Sequence, residues 1–281
     1  SKRHFVVKYR EGTWDGHTMA KRANRIRTST KQRMVHVHES NPQSMHAAPT
    51  PNALSIQDEV RQAFGWSVED DAESALQLHL LLQHHQHWSL LHRENALQRV
   101  QKQLLDAQRV IIIGAGVEEN ELTRFNQLGD VFVAADGAVG ALPEYSQLAC
   151  IVSDLDGGDY LDAAAKQGQT IVVHAHGDNM QQWEKTLTSW EQFTPFPQII
   201  LSHQVNQAIP GMYNFGGFTD GDRALCFTLS MGVDPENVEL IGFSLDRVGQ
   251  WSGITVAETK LKKLKWMDRI VSELGFGHFI K

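Results

Sequence analysis

Two stretches of the chain pair carboxylates at a spacing of two. In Ile151-Val-Ser-Asp-Leu-Asp-Gly-Gly158, an apolar lead-in from Leu148 runs into Asp154 and Asp156, and glycines close the turn. Residues two apart share a face of a strand, so both carboxylates point the same way. At the carboxyl end of a buried parallel strand, such a pair lies where open α/β sheets hold their ligands. Its mutual repulsion is relieved by a hard cation, and a Mg²⁺ site is the economical reading. A solvated turn is the plainer alternative, since Asp and Gly are ordinary turn residues. The second stretch is Asn214-Phe-Gly-Gly-Phe-Thr-Asp-Gly-Asp-Arg223, leading into a helix over Ala224 to Met231. A loop built on Gly216, Gly217 and Thr219 at a helix start presents backbone N–H groups suited to phosphate oxygens. Asp220 and Asp222 fit there only if they face a cation or a substrate hydroxyl, and Arg223 is placed to neutralise transferred phosphate.

A third cluster, His174-Ala-His-Gly-Asp-Asn179, closes another apolar run. His174 and His176 share a strand face, where imidazoles contact phosphate, protonate a leaving group or bind metal. Asp178 or Asn179 is expected to cap the following helix. Gly114 and Gly116, in Val110-Ile-Ile-Ile-Gly-Ala-Gly116, let the backbone approach a ligand. The dinucleotide fingerprint is incomplete, however, because Glu119 holds the third glycine position. Asp136, ending Asp130-Val-Phe-Val-Ala-Ala-Asp136, is read as a ribose or base contact or as a cap. His84 and His87 have metal-ligand spacing but no accompanying carboxylate or thiol, so the histidine-rich helix around them is read as a polar face.

The elements that must position these groups follow from apolar runs and periodicity. Strands are expected at 109–113, 130–136, 148–153, 170–174, 198–201 and 238–244, with helices between them. The sheet is therefore mostly parallel, of Rossmann-like α/β class, with an N-terminal helical segment. In that segment one helix runs from Ser55 to Phe64 and stops at Gly65. A longer one spans Ala72 to about His92 with Leu76, Leu80, Leu91 and Leu97 inward, continuing or breaking before Ala107. The last helix, Ala257 to Leu274, turns Leu261, Leu264, Met267, Ile270 and Val271 inward. Its lysines form a solvated face from which Lys260 is nearest to a phosphate.

The chain has 281 residues, 41% hydrophobic and 21% charged, with a net charge of −7. Residues 1–33 hold ten Lys and Arg against Glu11 and Asp15, a local +8, which leaves −15 on the remainder. An acidic body argues against nucleic acid as a partner of the core. Residues 1–55 read as a basic, disordered extension, residues 56–108 as helices packed on the core, and 109–281 as the catalytic domain. Cys150 and Cys226 lie in apolar patterns, which suits buried thiols in a reducing cytoplasm. No apolar run approaches a membrane span.

Taken together, Asp70-Asp71, Val152-Ser-Asp-Leu-Asp-Gly157, Val173-His-Ala-His-Gly-Asp-Asn179, Asn214 to Arg223 and Ile241-Gly-Phe-Ser-Leu-Asp246 occur in the order seen in the archaeal 6-hydroxymethyl-7,8-dihydropterin pyrophosphokinase family. The chain resembles that family from about residue 56 to its end, and the family is similar in fold to the thiamin pyrophosphokinase catalytic domain. The resemblance implies transfer of an intact diphosphate from MgATP to the pterin hydroxymethyl group with release of AMP, in methanopterin- or folate-type cofactor synthesis. It implies that Asp154, Asp156 and Asp220 hold Mg²⁺, that Asp222, Arg223 and His176 act in catalysis, and that Gly114, Gly116, Asp136, His174, Asp178, Asn179, Gly216, Gly217 and Thr219 contact the nucleotide. Thiamin pyrophosphokinase, an Asp-x-Asp glycosyltransferase of the flagellin-glycosylation type and a non-catalytic nucleotide-binding module remain as alternatives. Self-association into a homo-oligomer stays open.

Overall fold

The computed structural model describes residues 46–125, 127–246, 248–252 and 257–281. The basic residues 1–33 lie outside the described part. Six apolar runs form one sheet: β1 (Arg109–Ile113), β2 (Asp130–Ala135), β3 (Leu148–Ser153), β4 (Thr170–Ala175), β5 (Gln198–His203) and β6 (Val238–Ile241). Their order is β5-β4-β3-β2-β1-β6 and every neighbouring pair is parallel. Strands β2 and β3 are buried throughout, as expected of parallel strands covered on both faces. The chain winds outward from β1 in one direction and returns to place β6 on its other side. That reversal opens a crevice at the carboxyl ends of β1 and β6, the usual place for a ligand in such sheets.

Alternation along the strands divides the core in two. Ile111, Ile113, Phe132, Ile151, Ile171 and Leu201 face α2 (Val68–Leu82), α5 (Gly158–Lys166) and α6 (Met180–Trp190). Val110, Ile112, Val133, Val152 and Ile200 face α3 (Leu90–Leu105), α7 (Asp220–Ser230) and α8 (Ala257–Glu273). Helix α1 (Pro51–Phe64) buries Ala53, Ile56 and Val60 against Phe218, Cys226 and Ile270. Among the described residues, a short α4 (Glu119–Leu122) stands where a longer helix is expected after β1. A 3₁₀ turn over Asp136–Ala141 replaces the helix expected after β2.

The N-terminal helices depart from expectation in three ways. Helix α1 starts at Pro51 rather than Ser55, because Thr50 caps it and proline supplies the first helical φ. It does stop at Gly65, whose φ of +69° closes the turn. The long helix is two: after Leu82 the chain turns, and Nδ1 of His85 accepts the backbone N–H groups of His87 and Trp88. The inward stripe of α2 is Asp71, Ala75, Leu78 and Leu82, so Leu76 and Leu80 are exposed, as are Leu91 and Leu261 on α3 and α8. Leu97 is buried as expected. No helix among the described residues is long and apolar enough to cross a membrane.

Candidate active site

Two strand ends converge on one carboxylate cluster. Asp136 follows β2 and is 6% exposed, with Oδ1 accepting the Ser153 hydroxyl at 2.5 Å. Ser153 Oγ in turn accepts the Leu155 backbone N–H at 2.8 Å, which bends the chain just after β3. Leu155 takes φ +75° with its side chain buried, and the bend sends Asp154 and Asp156 to the same cleft. Asp136, at φ +49°, and Leu155 are the positive-φ residues other than glycine among those described. Such strain concentrates where surrounding structure holds a functional group in place. A Cβ on Gly157 would lie 2.6 Å from the Asp136 carboxylate, so only glycine lets the two loops close together. Carboxylate oxygens of Asp136, Asp154 and Asp156 all lie within 4.8 Å of one another.

The electrostatics follow from that crowding. Burial and the charges of Asp220, Asp156 and Asp154 push the Asp136 carboxyl well above its ordinary range. Desolvation and Asp154 likewise raise Asp156, although its side chain reaches solvent at the cleft mouth. Burial and Asp154 lift Asp220 to about 7. Asp154 moves the other way: burial works against its charge, but His176, Arg223 and Lys263 outweigh it and hold the carboxyl low. His176 Nε2 lies 3.3 Å from Asp154 Oδ2 and Nδ1 lies 2.5 Å from Asp178. Despite burial, these carboxylates raise the imidazole to about 9, so it is a cation at neutral pH.

The donor set suits a hard divalent cation. It contains only carboxylate oxygens, and Asp154 Oδ1 is buried without a hydrogen-bond partner. An orphaned buried oxygen between repelling neighbours is what a cation would satisfy.

Two chambers meet at a wall of Asp156, Thr219, Asp220 and Lys260. The larger, about 680 Å³ of space open to solvent, runs past Gly114, Gly116, Asp136, Gly242, Phe243 and Trp251 at the ends of β1 and β6. The smaller, about 520 Å³, is lined by Asp154, His176, Arg223, Lys263, Gln204, Trp66 and Phe218. Arg223 Nη1 lies 3.4 Å from Asp220 and 4.0 Å from Asp154. Lys260 and Lys263 of α8 thus border the cleft instead of forming a wholly solvated face.

Several expected contact residues stand behind this wall. Asp222 is fully buried, and its oxygens accept the backbone N–H groups of Phe218 and Thr219 and the Thr219 hydroxyl. With Thr219 it forms the capping box of α7, which starts at Asp220 rather than Ala224. It has no free face toward substrate. His174 is 2% exposed, bonded to Ser202 at 3.0 Å and Gln204 at 3.2 Å. Burial, with Arg223 and His176 nearby, holds its pKa well below the ordinary value, so the ring is neutral. Asn179 does not cap α6 with its side chain: its Nδ2 donates to the carbonyls of Asp154 (3.1 Å) and His174 (2.7 Å), stitching two loops together. Asp178 stays at the surface on the far side of His176. Gly216 packs on Ala53, and Gly217, at φ +85°, sits against the backbone of Arg223. Their role is the turn that delivers Thr219 and Asp220.

Asp136 as a member of the acidic trio, Gln204, Trp66 and Lys263 were not assigned these places from sequence. Asp136 carried a signal, an Asp-Gly pair at a strand end, but nothing local joins it to Asp154. Gln204 carried none.

A parallel sheet with ionised groups of both signs gathered at its carboxyl edge makes this an α/β protein whose candidate ligand site lies where such sheets hold their ligands. Comparison with protein-family models gives no match. Curated relatives do match. A 6-hydroxymethyl-7,8-dihydropterin pyrophosphokinase of Pyrococcus furiosus is 33% identical over 221 residues, 75% of this chain and 87% of the relative. Enzymes of the same name from Methanocaldococcus jannaschii and Methanothermobacter thermautotrophicus are 30% and 36% identical, over 76% and 60% of the chain and 91% and 68% of those proteins. The chain belongs to the 6-hydroxymethyl-7,8-dihydropterin pyrophosphokinase family, and it is a diphosphotransferase.

Proposed function

We propose that the chain transfers the β,γ-diphosphate of ATP to the hydroxymethyl group of 6-hydroxymethyl-7,8-dihydropterin, giving the pterin diphosphate and AMP with Mg²⁺ as cofactor. The observation that carries this reading is one cleft in which Asp136, Asp154 and Asp156 face a cation-rich wall of His176, Arg223, Lys260 and Lys263. A polyphosphate needs both halves: carboxylates for its metal and cations for its own oxygens. Asp136, Asp154 and Asp156 would hold the Mg²⁺, which when bound offsets the charge of the triphosphate.

The hydroxymethyl oxygen attacks the β-phosphorus, its bond to the bridging α-oxygen breaks, and that oxygen leaves with AMP. Arg223 and His176 stabilise charge that builds on the transferred group and the leaving oxygen. Asp220 borders both chambers and belongs to neither the trio nor the cap, so it orients the attacking hydroxyl and accepts its proton. The glycine-lined larger chamber takes the nucleoside side. The helical residues 56–108 and the sheet domain 109–281 act as one catalytic unit, cytoplasmic and serving a tetrahydromethanopterin- or folate-type pathway.

AMP formation from ATP tests this directly. The expected result is AMP with hydroxymethyl-dihydropterin, none with thiamin, and loss of product with a chelator. AMP with thiamin alone would move the assignment to the other alcohol, and release of UDP or CMP from a nucleotide sugar would move it to glycosyl transfer.

A further inference from the structure

Beneath the smaller chamber a buried polar chain runs from α1 and α2 through Gln204 to Arg223. Gln204 follows β5 and is 6% exposed. Its Oε1 accepts from Arg223 Nη2 at 3.1 Å and from His174 Nε2 at 3.2 Å, while its Nε2 donates to Asp71 Oδ2 at 2.8 Å. Asp71, from α2, also takes Arg61 Nη1 of α1 at 2.9 Å and, through Oδ1, the Gly177 backbone N–H at 2.8 Å. Arg61, Asp71, His174 and Arg223 are each 6% exposed or less.

Chemistry allows the amide one orientation. A guanidinium only donates and a carboxylate only accepts, so the oxygen must face Arg223 and the NH₂ must face Asp71. The same oxygen requires a proton on His174 Nε2, leaving Nδ1 to accept the Ser202 hydroxyl. Arg223 therefore has one arm anchored in the scaffold and the other, Nη1, beside Asp220 and Asp154 in the cleft. Because a guanidinium is planar, fixing one arm fixes the other.

We propose that Gln204 is a positioning residue: held in one amide orientation by Asp71, it sets the plane of Arg223 toward the transferred group and makes α1 and α2 part of the transfer machinery. The proposal rests on the role given to Arg223 above.

Steady-state AMP formation by the full chain tests it in four forms: wild type, Gln204→Met, Arg223→Met and the double variant. Gln204→Met is expected to lower kcat roughly 10- to 100-fold, the scale of a misplaced catalytic group, with KM for ATP and pterin changed less than about twofold. Added to Arg223→Met, it should lower kcat by less than about twofold, because the group it holds is gone. Equal losses in both backgrounds would make Gln204 a fold residue and overturn the proposal. An unaltered kcat in Gln204→Met beside an impaired Arg223→Met overturns the proposal alone, whereas a fully active Arg223→Met removes the role of Arg223 and the proposal with it. Should Gln204→Met not fold, Gln204→Asn takes its place. It keeps a buried amide but is one methylene too short to span Asp71 and Arg223, so the same Arg223-dependent loss of kcat is expected; wild-type turnover there overturns the proposal.

Discussion

Two loops in this protein carry the same pattern, a carboxylate pair two apart interrupted or followed by glycine, and the fold treats them differently. After β3, both Asp154 and Asp156 border the cleft. Before α7, only Asp220 does; Asp222 is fully buried in the capping box. Backbone context decides. The first pair sits on a strand end bent at Leu155, where Ser153 Oγ takes the Leu155 backbone N–H and the following α5 takes no side-chain cap from either carboxylate. The second pair sits in the first turn of a helix, where orphan N–H groups compete for any acceptor and the third helical position is the favoured one. Identical spacing thus gives two cleft-lining carboxylates in one loop, and one cleft-lining carboxylate plus one structural cap in the other.

The sharpest test of that contrast is Asp156→Asn. With the trio broken and the fold intact, AMP formation should drop by about a thousandfold or more, the scale of a lost metal-binding or transition-state group; circular dichroism should match wild type. Near-normal turnover would erase the distinction between the loops. Asp222→Ala should do the opposite. Removing a cap and leaving two buried N–H groups unpaired is expected to lower unfolding stability by about 2–4 kcal/mol in urea titration. Turnover at low temperature, while the protein stays folded, should suffer far less than in Asp156→Asn. Asp220→Asn then separates the neighbours within the second loop: unfolding stability kept or raised, as one repelling charge is lost, and kcat lowered about tenfold. A stable Asp222→Ala or an unstable Asp220→Asn would invert the assignment.

The sheet was legible because β-type apolar runs such as Val110–Ile113 and Leu148–Val152 have no other use, and their parallel pairing follows from the helical stretches between them. The Asp154–Asp156 pair was legible for a related reason: a strand alternates side chains whatever surrounds it. Asp222 was not, since a motif that looks like a ligand pair is also a helix start, and only the boundary of α7 at Asp220 tells them apart. The α2 stripe was misjudged because leucines outnumber the inward positions; Leu76 and Leu80 lie beside the true stripe of Ala75, Leu78 and Leu82. Gln204 illustrates the harder limit. Its importance comes from Asp71 and Arg223, which lie 133 and 19 residues away along the chain, and no local pattern records that meeting.

The smallest effect distinguishes cleft from scaffold by pH. His176, two residues past His174 on the β4 side, is raised to about 9 by Asp154 and Asp178 in spite of its burial. His203 ends the neighbouring strand β5, is 3% exposed, and is lowered to about 4 by burial, which outweighs an opposing backbone hydrogen bond with Val205. Because its folded pKa lies below its ordinary 6.5, the unfolded chain binds more protons between those values. Its contribution is whole above about pH 6.5 and is lost as pH falls toward 4, at about 1.4 kcal/mol per pH unit at most. At pH 5.5 the loss relative to pH 7.5 should therefore be about 1 kcal/mol, and His203→Gln should remove that share of the acid-side slope without changing AMP formation more than about twofold. A slope unchanged by His203→Gln would place the buried proton-linked group elsewhere in the core, and a large loss of turnover would make β5 part of the cleft rather than its support.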